Sequence, residues 1–212
     1  MHTDVLSALN WRYAVRKFDF TKKVSAEDLH TILESGRLAP SSIGIEPWKF
    51  LIIENSEIRA QLREAGYDQA KITDASHLIV IARRTDVREN ISRERLERTA
   101  AAQNQQVSEL SGLAHMLDGG IASRDDESLN AWITAQTYIP LGMMIETASL
   151  LEVDNGPMEG FNHETVDAIL GLTEFNLASV SMLALGYRST TDASALLPKV
   201  RRSFEEVTNF VR

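Results

Sequence analysis

The 212-residue chain carries 30 acidic and 22 basic residues, which gives it a formal net charge of −8 at pH 7. This balance argues against a protein that binds nucleic acid or an anionic membrane surface, because such proteins usually carry a basic excess. The chain has no cysteine, so disulfides, thiolate catalysis and zinc–thiolate sites are excluded, and any redox reaction would need a bound cofactor.

One domain is expected over residues 1–212, since no repeat and no low-complexity linker divides the chain. The start of the sequence lacks the basic and then apolar pattern of a signal peptide. The most apolar stretch, residues 138–151, is interrupted by Glu146 and is too short to span a bilayer. We therefore expect a cytoplasmic protein.

Two helices are predicted near the start of the chain. Apolar residues at helical spacing predict the first, with Thr3 or Asp4 as its N-cap. The second is predicted to start at Ser25, where Asp28 three residues later resembles a capping box. It is expected to end before Pro40, because proline cannot continue a helix.

Three apolar segments rich in β-branched and aromatic residues predict strands. They cover residues 48–53, 77–82 and 177–185. A helix over residues 56–65, closed by Gly66, is predicted between the first two strands.

The middle of the chain is predicted to be largely helical. Residues 88–98 alternate in charge, as on a solvated helix. Two pairs have the i,i+4 spacing of helical ion pairs, Glu89 with Arg93 and Glu94 with Arg98. The helical pattern continues to about residue 117 and is expected to become irregular around the glycine pair 119–120.

Residues 129–151 have the length of a helix but are apolar on nearly every side, which predicts a helix that is buried all round, in part by a second subunit. Asn162 is predicted to cap a short helix that ends at Gly171, and the tail is predicted to be helical after Ser203. Because helices and strands do not alternate as βαβ units, the predicted fold class is α+β.

Several well-known motifs are absent from the sequence. No GxGxxG follows a strand, and neither GxxxxGK[ST], HExxH nor GxSxG occurs. The five histidines do not fall at the spacing of metal ligands, so no metal site is expected. A Rossmann dinucleotide site, a P-loop, a zinc protease and an α/β-hydrolase all lose support.

Three short segments have compositions that suit a binding site. Residues 12–19 leave a helix with three cations, residues 39–48 hold two serines and a glycine between two prolines, and residues 156–161 combine glycine with proline. Each also has an ordinary structural explanation: a solvated helix end, a well-made loop and a turn. Taken singly, none of the three decides between a site and a structural role.

Five segments together resemble the nitroreductase family, in particular the oxygen-insensitive NAD(P)H nitroreductases. The resemblance extends from Leu9 to about Arg201 and is weakest over residues 88–127. The matching segments, in the family's order, are RYAVRKFD at 12–19, APSSIGIEPW at 39–48, KITDASHLIV at 71–80, PMEGF at 157–161 and LPKVR at 197–201.

The resemblance implies a nitroreductase-like fold, with a central, mostly antiparallel sheet flanked by helices. Members of the family are intertwined homodimers, with two FMN sites that are each built from both subunits. The apolar stretch 129–151 looks like the family's interface helix. By this resemblance the chain would act as one FMN-binding domain in a homodimer, without nucleic-acid or membrane partners.

The same resemblance assigns residues to the flavin. Arg12 corresponds to a cation on the phosphate side and Arg16 to one nearer the ring, while Lys199 and Arg201 match a C-terminal pair that holds the phosphate. Lys71 matches a lysine near the pyrimidine edge, where a cation stabilises the charge of the reduced ring. Arginine forks suit phosphate oxygens, because they can bind them bidentately.

Two loops complete the expected site. Ser41 and Ser42 look like residues that reach the flavin from the partner subunit, and Glu159 and Gly160 match the loop whose backbone N–H faces flavin N5. No side chain is expected to act as a catalytic acid or base. The full set of expected cofactor-binding residues is Arg12, Tyr13, Ala14, Arg16, Pro40, Ser41, Ser42, Gly44, Asp68, Lys71, Pro157, Met158, Glu159, Gly160, Lys199 and Arg201.

Three positions depart from the family's pattern. Ala14 stands where many relatives have serine, and Gly44 and Asp68 stand where asparagine is common. Each change removes or alters an expected polar contact to the flavin, and the change at Asp68 could alter its reduction potential.

The function implied by the resemblance is an FMN-dependent oxidoreductase that takes electrons from NADH or NADPH. It would reduce nitroaromatics, quinones or similar electron-poor acceptors by ping-pong two-electron transfer. A flavin reductase, a dehalogenase or a flavin-fragmenting enzyme of the same fold, a non-catalytic flavin-binding sensor and a cofactor-free structural protein remain as alternatives. The sequence leaves open the physiological substrate, the choice between NADH and NADPH, and the residues of any lid within 88–127.

Overall fold

The structure, a computed structural model, describes residues 4–212 and has an α+β fold built around a four-stranded sheet. The strands are β1 (Trp48–Ile52), β2 (His77–Arg84), β3 (Asp154–Met158) and β4 (Leu177–Gly186). Their order across the sheet is β1-β2-β4-β3, and every neighbouring pair is antiparallel. The predicted fold class and antiparallel sheet are therefore confirmed.

Helices cover both faces of the sheet. They are α1 (Val5–Trp11), α2 (Ala26–Arg37), α3 (Ser56–Ala65), α4 (Lys71–Asp74), α5 (Ser92–Gln103), α6 (Ser111–Ala122), α7 (Asp126–Leu150), α8 (His163–Leu170) and α9 (Phe204–Val207). Side chains of Asp4, Ser25 and Asn162 accept hydrogen bonds from the first-turn N–H groups of α1, α2 and α8. Three predicted helix starts are thereby confirmed, while Thr3 lies outside the described residues.

The core lies on both sides of the sheet, because successive residues of a strand point to opposite faces. In β2, Leu78 and Val80 pack with Leu62 of α3 and with α8, whereas Ile79 and Ile81 pack with α2 and α7. All four of these β2 side chains are fully buried. The apolar run that predicted this strand is continuous because neither face meets solvent.

A smaller apolar cluster joins the loop before β1 to the helices in the middle of the chain. Ile45 from the loop packs in it with residues from α6 and α7, among them Leu117 and Ile133. This cluster fixes the loop 39–48, one of the segments expected at the site, against α6 and α7.

Several predicted boundaries and elements are wrong. Residues 156–158, for which a turn was the structural alternative to a binding site, belong to β3. Helix α6 continues through Gly119 and Gly120 instead of becoming irregular there. The pair Glu94–Arg98 is present at 3.8 Å, but Arg93 lies 3.4 Å from Glu97 rather than pairing with Glu89.

Helix α7 is not buried on every side within one protomer. Tyr138 and Ile139, near its centre, are each 37% exposed. Elsewhere α7 packs on α2, β2 and β3, which explains why most of its face is apolar. Among residues 4–212, no helix is both long enough and apolar enough to cross a membrane.

Candidate functional site

The segment after α1 lies along strand β3. The N–H of Val15 donates a 3.1 Å hydrogen bond to the carbonyl oxygen of Asn155, and Ala14 bridges to the same residue in parallel. A side chain at Gly156 would be obstructed, since a Cβ there would lie 2.9 Å from the carbonyl oxygen of Val15. The glycine therefore permits the close approach that places Arg12 and Arg16 beside the end of the sheet.

Three of the expected phosphate ligands lie together in a cleft of about 370 Å³, which we call the basic cleft. They are Arg12, Lys199 and Arg201, and Arg16 also lines the cleft. The ammonium group of Lys199 donates hydrogen bonds to the carbonyl oxygens of Leu9, at 2.6 Å, and of Arg12. The C-terminal segment and the end of α1 are thus joined at this cleft, although they are far apart in sequence.

The cations of the basic cleft repel one another. Burial and then the nearby Arg201 lower the pKa of Arg12, and burial followed by Arg12 and Arg201 lowers the pKa of Lys199. Within the described residues, no carboxylate forms an ion pair with any of the three, and the buried Nε of Arg12 has no hydrogen-bond partner. An anion that accepts several hydrogen bonds, such as a phosphate group, fits this arrangement.

A buried acid that sequence reasoning missed lies beside the cleft. Asp192 is 5% exposed and accepts a hydrogen bond of 3.2 Å from the hydroxyl of Tyr13. It also accepts the backbone N–H groups of Arg16 at 3.0 Å and Lys17 at 3.2 Å. The only local signal for this residue is that it caps the turn that starts with Ala193, through the N–H of Ser194.

Arg188 is a second residue that the sequence did not reveal. Its guanidinium lies 4.2 Å from the ring centre of Trp11 and 4.7 Å from that of Tyr13, as in cation–π contacts. Its Nε donates a 2.8 Å hydrogen bond to Asp154 at the start of β3. The aromatic residues around Arg12 are therefore fixed to the sheet.

Lys71, the first residue of α4, is brought close to β3 and Arg16. Its ammonium group lies 3.4 Å from the carbonyl oxygen of Pro157. Burial and then the charge of Arg16 lower the pKa of Lys71. The buried guanidinium of Arg59 holds α4 in place, since it donates to the carbonyl oxygens of Ile72 at 2.7 Å and of Ala75 at 2.6 Å.

The loop after β3 is held from two sides. The hydroxyl of Tyr138 donates a 2.8 Å hydrogen bond to Glu159, and the side-chain amide of Gln69 donates a 2.9 Å bond to the carbonyl oxygen of Gly160. The side chain of Met158 is 5% exposed and packs in the core, so this residue offers a ligand mainly its backbone. Burial and the contact with Glu159 raise the pKa of Tyr138 to about 12.

Asp68 precedes Gln69 in the chain and has a partner of its own. Its carboxylate accepts a 2.6 Å hydrogen bond from Arg63. Its backbone is left-handed, with a φ of 56°, and its side chain is largely exposed. The expected contact of Asp68 with a flavin edge would therefore compete with this ion pair.

The loop 39–48 makes hydrogen bonds within itself and to α7, α2 and β2. The N–H of Ser42 donates to the buried side chain of Gln136 at 2.8 Å, and Ser41 accepts the N–H of Glu46 at 2.9 Å. Gly44 has a φ of 67°, and a side chain there would meet the guanidinium of Arg95. Pro40 is exposed.

The expected site residues therefore form two groups within the protomer. One group surrounds the basic cleft and the end of β3. The other is the loop with the two serines. None of the hydrogen bonds described for residues 4–212 joins the loop to the first group.

Fold and site together define a class: an α+β protein with an antiparallel sheet and a basic cleft at the end of its first helix. The family model described as "Nitroreductase family" matches residues 9–187. The chain belongs to the nitroreductase family, as its five motifs predicted.

Relatives of known name agree with this assignment. A protein of Staphylococcus aureus strain USA300, provisionally named an NAD(P)H nitroreductase, is 37% identical over 225 residues, which cover 100% of this chain and 97% of that protein. YfkO of Bacillus subtilis strain 168, provisionally named in the same way, is 37% identical over 222 residues, which cover 100% of this chain and 99% of that protein.

A solved structure shows the same fold. The crystal structure of a provisionally assigned nitroreductase from Exiguobacterium sibiricum 255-15, in complex with FMN, superimposes with a TM-score of 0.82. The match covers 100% of this chain and 99% of that one at 22% sequence identity. The nitroreductase-like fold expected from the sequence is confirmed.

Proposed function

We propose that this protein is an FMN-dependent oxidoreductase that uses NADH or NADPH to reduce nitroaromatics, quinones or similar electron-poor acceptors. The observation that carries the proposal is the basic cleft. Its cations Arg12, Lys199 and Arg201 have no acidic partner among the described residues, and the buried Nε of Arg12 lacks an acceptor. The names of relatives, which include NAD(P)H nitroreductases and an FMN complex, favour a flavin phosphate as the missing anion.

The residues present suit both the phosphate group of FMN and the pyrimidine edge of its ring. Arg12, Lys199 and Arg201 would bind the phosphate, since guanidinium and ammonium groups form strong charge-assisted hydrogen bonds with phosphate oxygens. Lys71, whose pKa is lowered by burial and then by the charge of Arg16, would lie with Arg16 at the pyrimidine edge of the ring. There the ammonium group of Lys71 would stabilise negative charge.

The remaining expected residues would orient the ring. The backbone after Pro157 is held by Tyr138 and Gln69, so the N–H groups of Glu159 and Gly160 would be presented on a fixed loop. Tyr13, Ala14 and the backbone of Met158 would line the same side, while Asp68 would remain with Arg63. A fixed polar frame lowers the barrier because it needs no rearrangement during the reaction.

When bound, FMN supplies reversible two-electron chemistry that this chain, which has no cysteine, cannot supply from its side chains. The reduced nicotinamide and the acceptor would bind in turn at the same place beside the flavin. The protein would supply binding, orientation and electrostatics. We assign no catalytic acid or base, since the protons that a reduced acceptor needs can come from water.

We also propose a homodimer. In one protomer the centre of α7 exposes Tyr138 and Ile139, and the C-terminal segment exposes Val200, Phe204 and Phe210. Apolar side chains that are exposed in such numbers usually mark an interface. A second copy would cover them and would bring the loop of Ser41 and Ser42 to the flavin of its partner.

The visible absorption spectrum tests the central claim. The purified protein is incubated with FMN, freed of unbound flavin and scanned. Retained absorption near ~450 nm, a property of the flavin itself, is expected. A protein that retains no flavin would contradict the proposal.

The enzymatic part has its own test. Under anaerobic conditions, NADH or NADPH should bleach the retained flavin, and a nitroaromatic or a quinone should restore its colour. Double-reciprocal plots at several nicotinamide concentrations should be parallel. Retained flavin that neither nicotinamide bleaches would instead indicate a non-catalytic flavin-binding protein, and bleached flavin with intersecting plots would contradict the ping-pong order.

A further inference from the structure

We propose that Asp192 is a positioning residue, which holds the C-terminal basic segment against the segment after α1 and so assembles the phosphate site. The inference rests on the proposed function, because it takes the basic cleft as the place of the FMN phosphate. Asp192 itself would not touch the phosphate. Its role would be to fix the distance between cations that come from opposite ends of the chain.

The first argument is the number and direction of its hydrogen bonds. One carboxylate oxygen accepts the N–H groups of Arg16 at 3.0 Å and Lys17 at 3.2 Å, together with the hydroxyl of Tyr13 at 3.2 Å. The other oxygen accepts the N–H of Ser194 at 3.0 Å. A single side chain therefore binds the backbone that carries Arg16 and the backbone that leads to the C-terminal cations.

The second argument is that this position requires an ionised carboxylate. Asp192 is 5% exposed, and burial alone would oppose its ionisation. The N–H groups of Arg16, Ser194 and Lys17 and the hydroxyl of Tyr13 outweigh burial and lower its pKa. All of these partners are donors, so an amide in its place would turn its own N–H groups toward at least one of them.

The third argument concerns charge. Within the described residues, Asp192 forms no ion pair with Arg12, Lys199 or Arg201. Its negative charge is satisfied by neutral donors, so the cations of the basic cleft stay available to an anionic ligand. A carboxylate paired directly with those cations would instead compete with a phosphate.

The experiment compares the binding of FMN and of riboflavin, which lacks the phosphate, to the wild-type protein and to Asp192→Asn. Quenching of flavin fluorescence gives both dissociation constants. If Asp192 acts through the phosphate site, FMN should bind at least about ten-fold more weakly to the variant, the loss of one charge-assisted contact. Riboflavin, which makes only the ring contacts near Arg16 and Tyr13, should lose clearly less affinity than FMN.

A matched control is Asp167→Asn. Asp167 is also a carboxylate that accepts a backbone N–H, that of Ser179 at 2.8 Å, but it lies on α8. This variant should bind FMN and riboflavin as the wild type does. If it loses FMN to the same extent as Asp192→Asn, the effect is one of general stability and the inference is wrong.

The outcomes separate the inference from the proposed function. A wild-type protein that binds neither flavin contradicts the proposed function. A wild type that binds FMN, with Asp192→Asn binding it equally well or losing both flavins equally, contradicts only the positioning role.

Two further measurements keep the inference testable. If riboflavin binding to the wild type is too weak to measure, a double-mutant cycle of Asp192→Asn with Lys199→Ala takes the place of the riboflavin comparison. The two substitutions should then have coupled effects on FMN affinity. Effects that simply add would contradict the inference. If Asp192→Asn does not fold, Tyr13→Phe removes one donor from the same oxygen and should weaken FMN binding by a smaller factor. Unchanged FMN binding in that variant would overturn the inference.

Discussion

The ammonium group of Lys199 lies 2.6 Å from the carbonyl oxygen of Leu9. This contact places a cation at the C-terminal end of α1, where the free carbonyl groups of the helix are partly negative. It also places Lys199 beside Arg12, whose charge repels it. The last basic segment of the chain is thus held at the basic cleft by backbone oxygens, against the repulsion between the cations.

Arg12→Ala should weaken the binding of FMN. The buried Nε of Arg12 has no acceptor in the protein, and a charge-assisted hydrogen bond to phosphate contributes roughly 1.5–3 kcal/mol, or about 10- to 150-fold in affinity. A fluorescence titration measures the dissociation constant. Arg93→Ala is the control, since Arg93 is exposed and pairs only with groups of α5 and the turn before it. Equal FMN affinity in both variants would remove Arg12 from the phosphate site.

Lys71→Met should stabilise the flavin-free protein at neutral pH. Burial lowers the pKa of Lys71, so the folded chain gives up this proton at a lower pH than the unfolded chain does. The free-energy cost of burying the charged ammonium group is present in full at pH values below the pKa of Lys71 in the folded chain. This cost disappears as the pH rises to the ordinary pKa of a lysine side chain. The stability advantage of the variant, measured by urea unfolding, should therefore narrow as the pH rises through the alkaline range. An advantage that grows with pH would contradict this sign.

The same substitution should have the opposite effect on the bound flavin. Without the ammonium group, negative charge at the reduced ring loses its stabilisation, and the reduction potential should become more negative. A loss of about 1.4 kcal/mol corresponds to about 30 mV for a two-electron couple. Equilibration with a reference dye measures the potential. Lys71→Arg is the control, since it keeps the positive charge and should leave the reduction potential close to the wild-type value. An unchanged reduction potential in Lys71→Met would place Lys71 away from the ring.

The helix starts could be predicted because their signals are local. Asp4, Ser25 and Asn162 each precede an apolar helical pattern, and a side chain that caps the following turn needs no distant partner. The strand β2 could also be predicted, since a sheet that is buried on both faces demands an unbroken apolar segment.

Strand β3 could not be predicted from its own residues. Its sequence contains asparagine, glycine and proline, which are poor strand formers. It forms because β4 pairs with it on one side and Val15 donates to Asn155 on the other. Asp192 escaped detection for a similar reason, since most of its donors come from the other end of the chain. The family motifs indicated the cations of the basic cleft, but they did not indicate the buried carboxylate that links the two segments carrying those cations.

Gly156→Ala should destabilise the protein, because its new methyl group would lie 2.9 Å from the backbone oxygen of Val15, which cannot move as a side chain can. Overpacking of this kind costs roughly 1–3 kcal/mol in the free energy of unfolding. Gly160→Ala is a matched control close by, since no atom lies within 4 Å of its added Cβ. Urea unfolding measures both variants without flavin. Two variants of equal stability would show that the segment after α1 does not approach β3 as closely as described.

Ile139→Arg should break the proposed homodimer. Ile139 is 37% exposed at the centre of α7, so one protomer can turn the new side chain toward water and should fold normally. In a dimer that buries this surface, the new guanidinium group would be desolvated without gaining an ion-pair partner. This would weaken dimer association by several kcal/mol. Analytical ultracentrifugation should therefore show twice the mass of the chain for the wild type and the mass of one chain for the variant. Met116→Arg, at an exposed position on α6, is the control and should leave the dimer intact.

The monomeric variant would also test the contribution of the partner's loop. Within one protomer, Ser41 and Ser42 share no described hydrogen bond with the basic cleft, so a flavin held by both subunits would lose the loop when the dimer separates. The phosphate contacts of Arg12, Lys199 and Arg201 would remain. FMN should then bind more weakly to Ile139→Arg but still more tightly than riboflavin does. A monomer that binds FMN as tightly as the wild-type dimer would show that the whole flavin site lies within one chain.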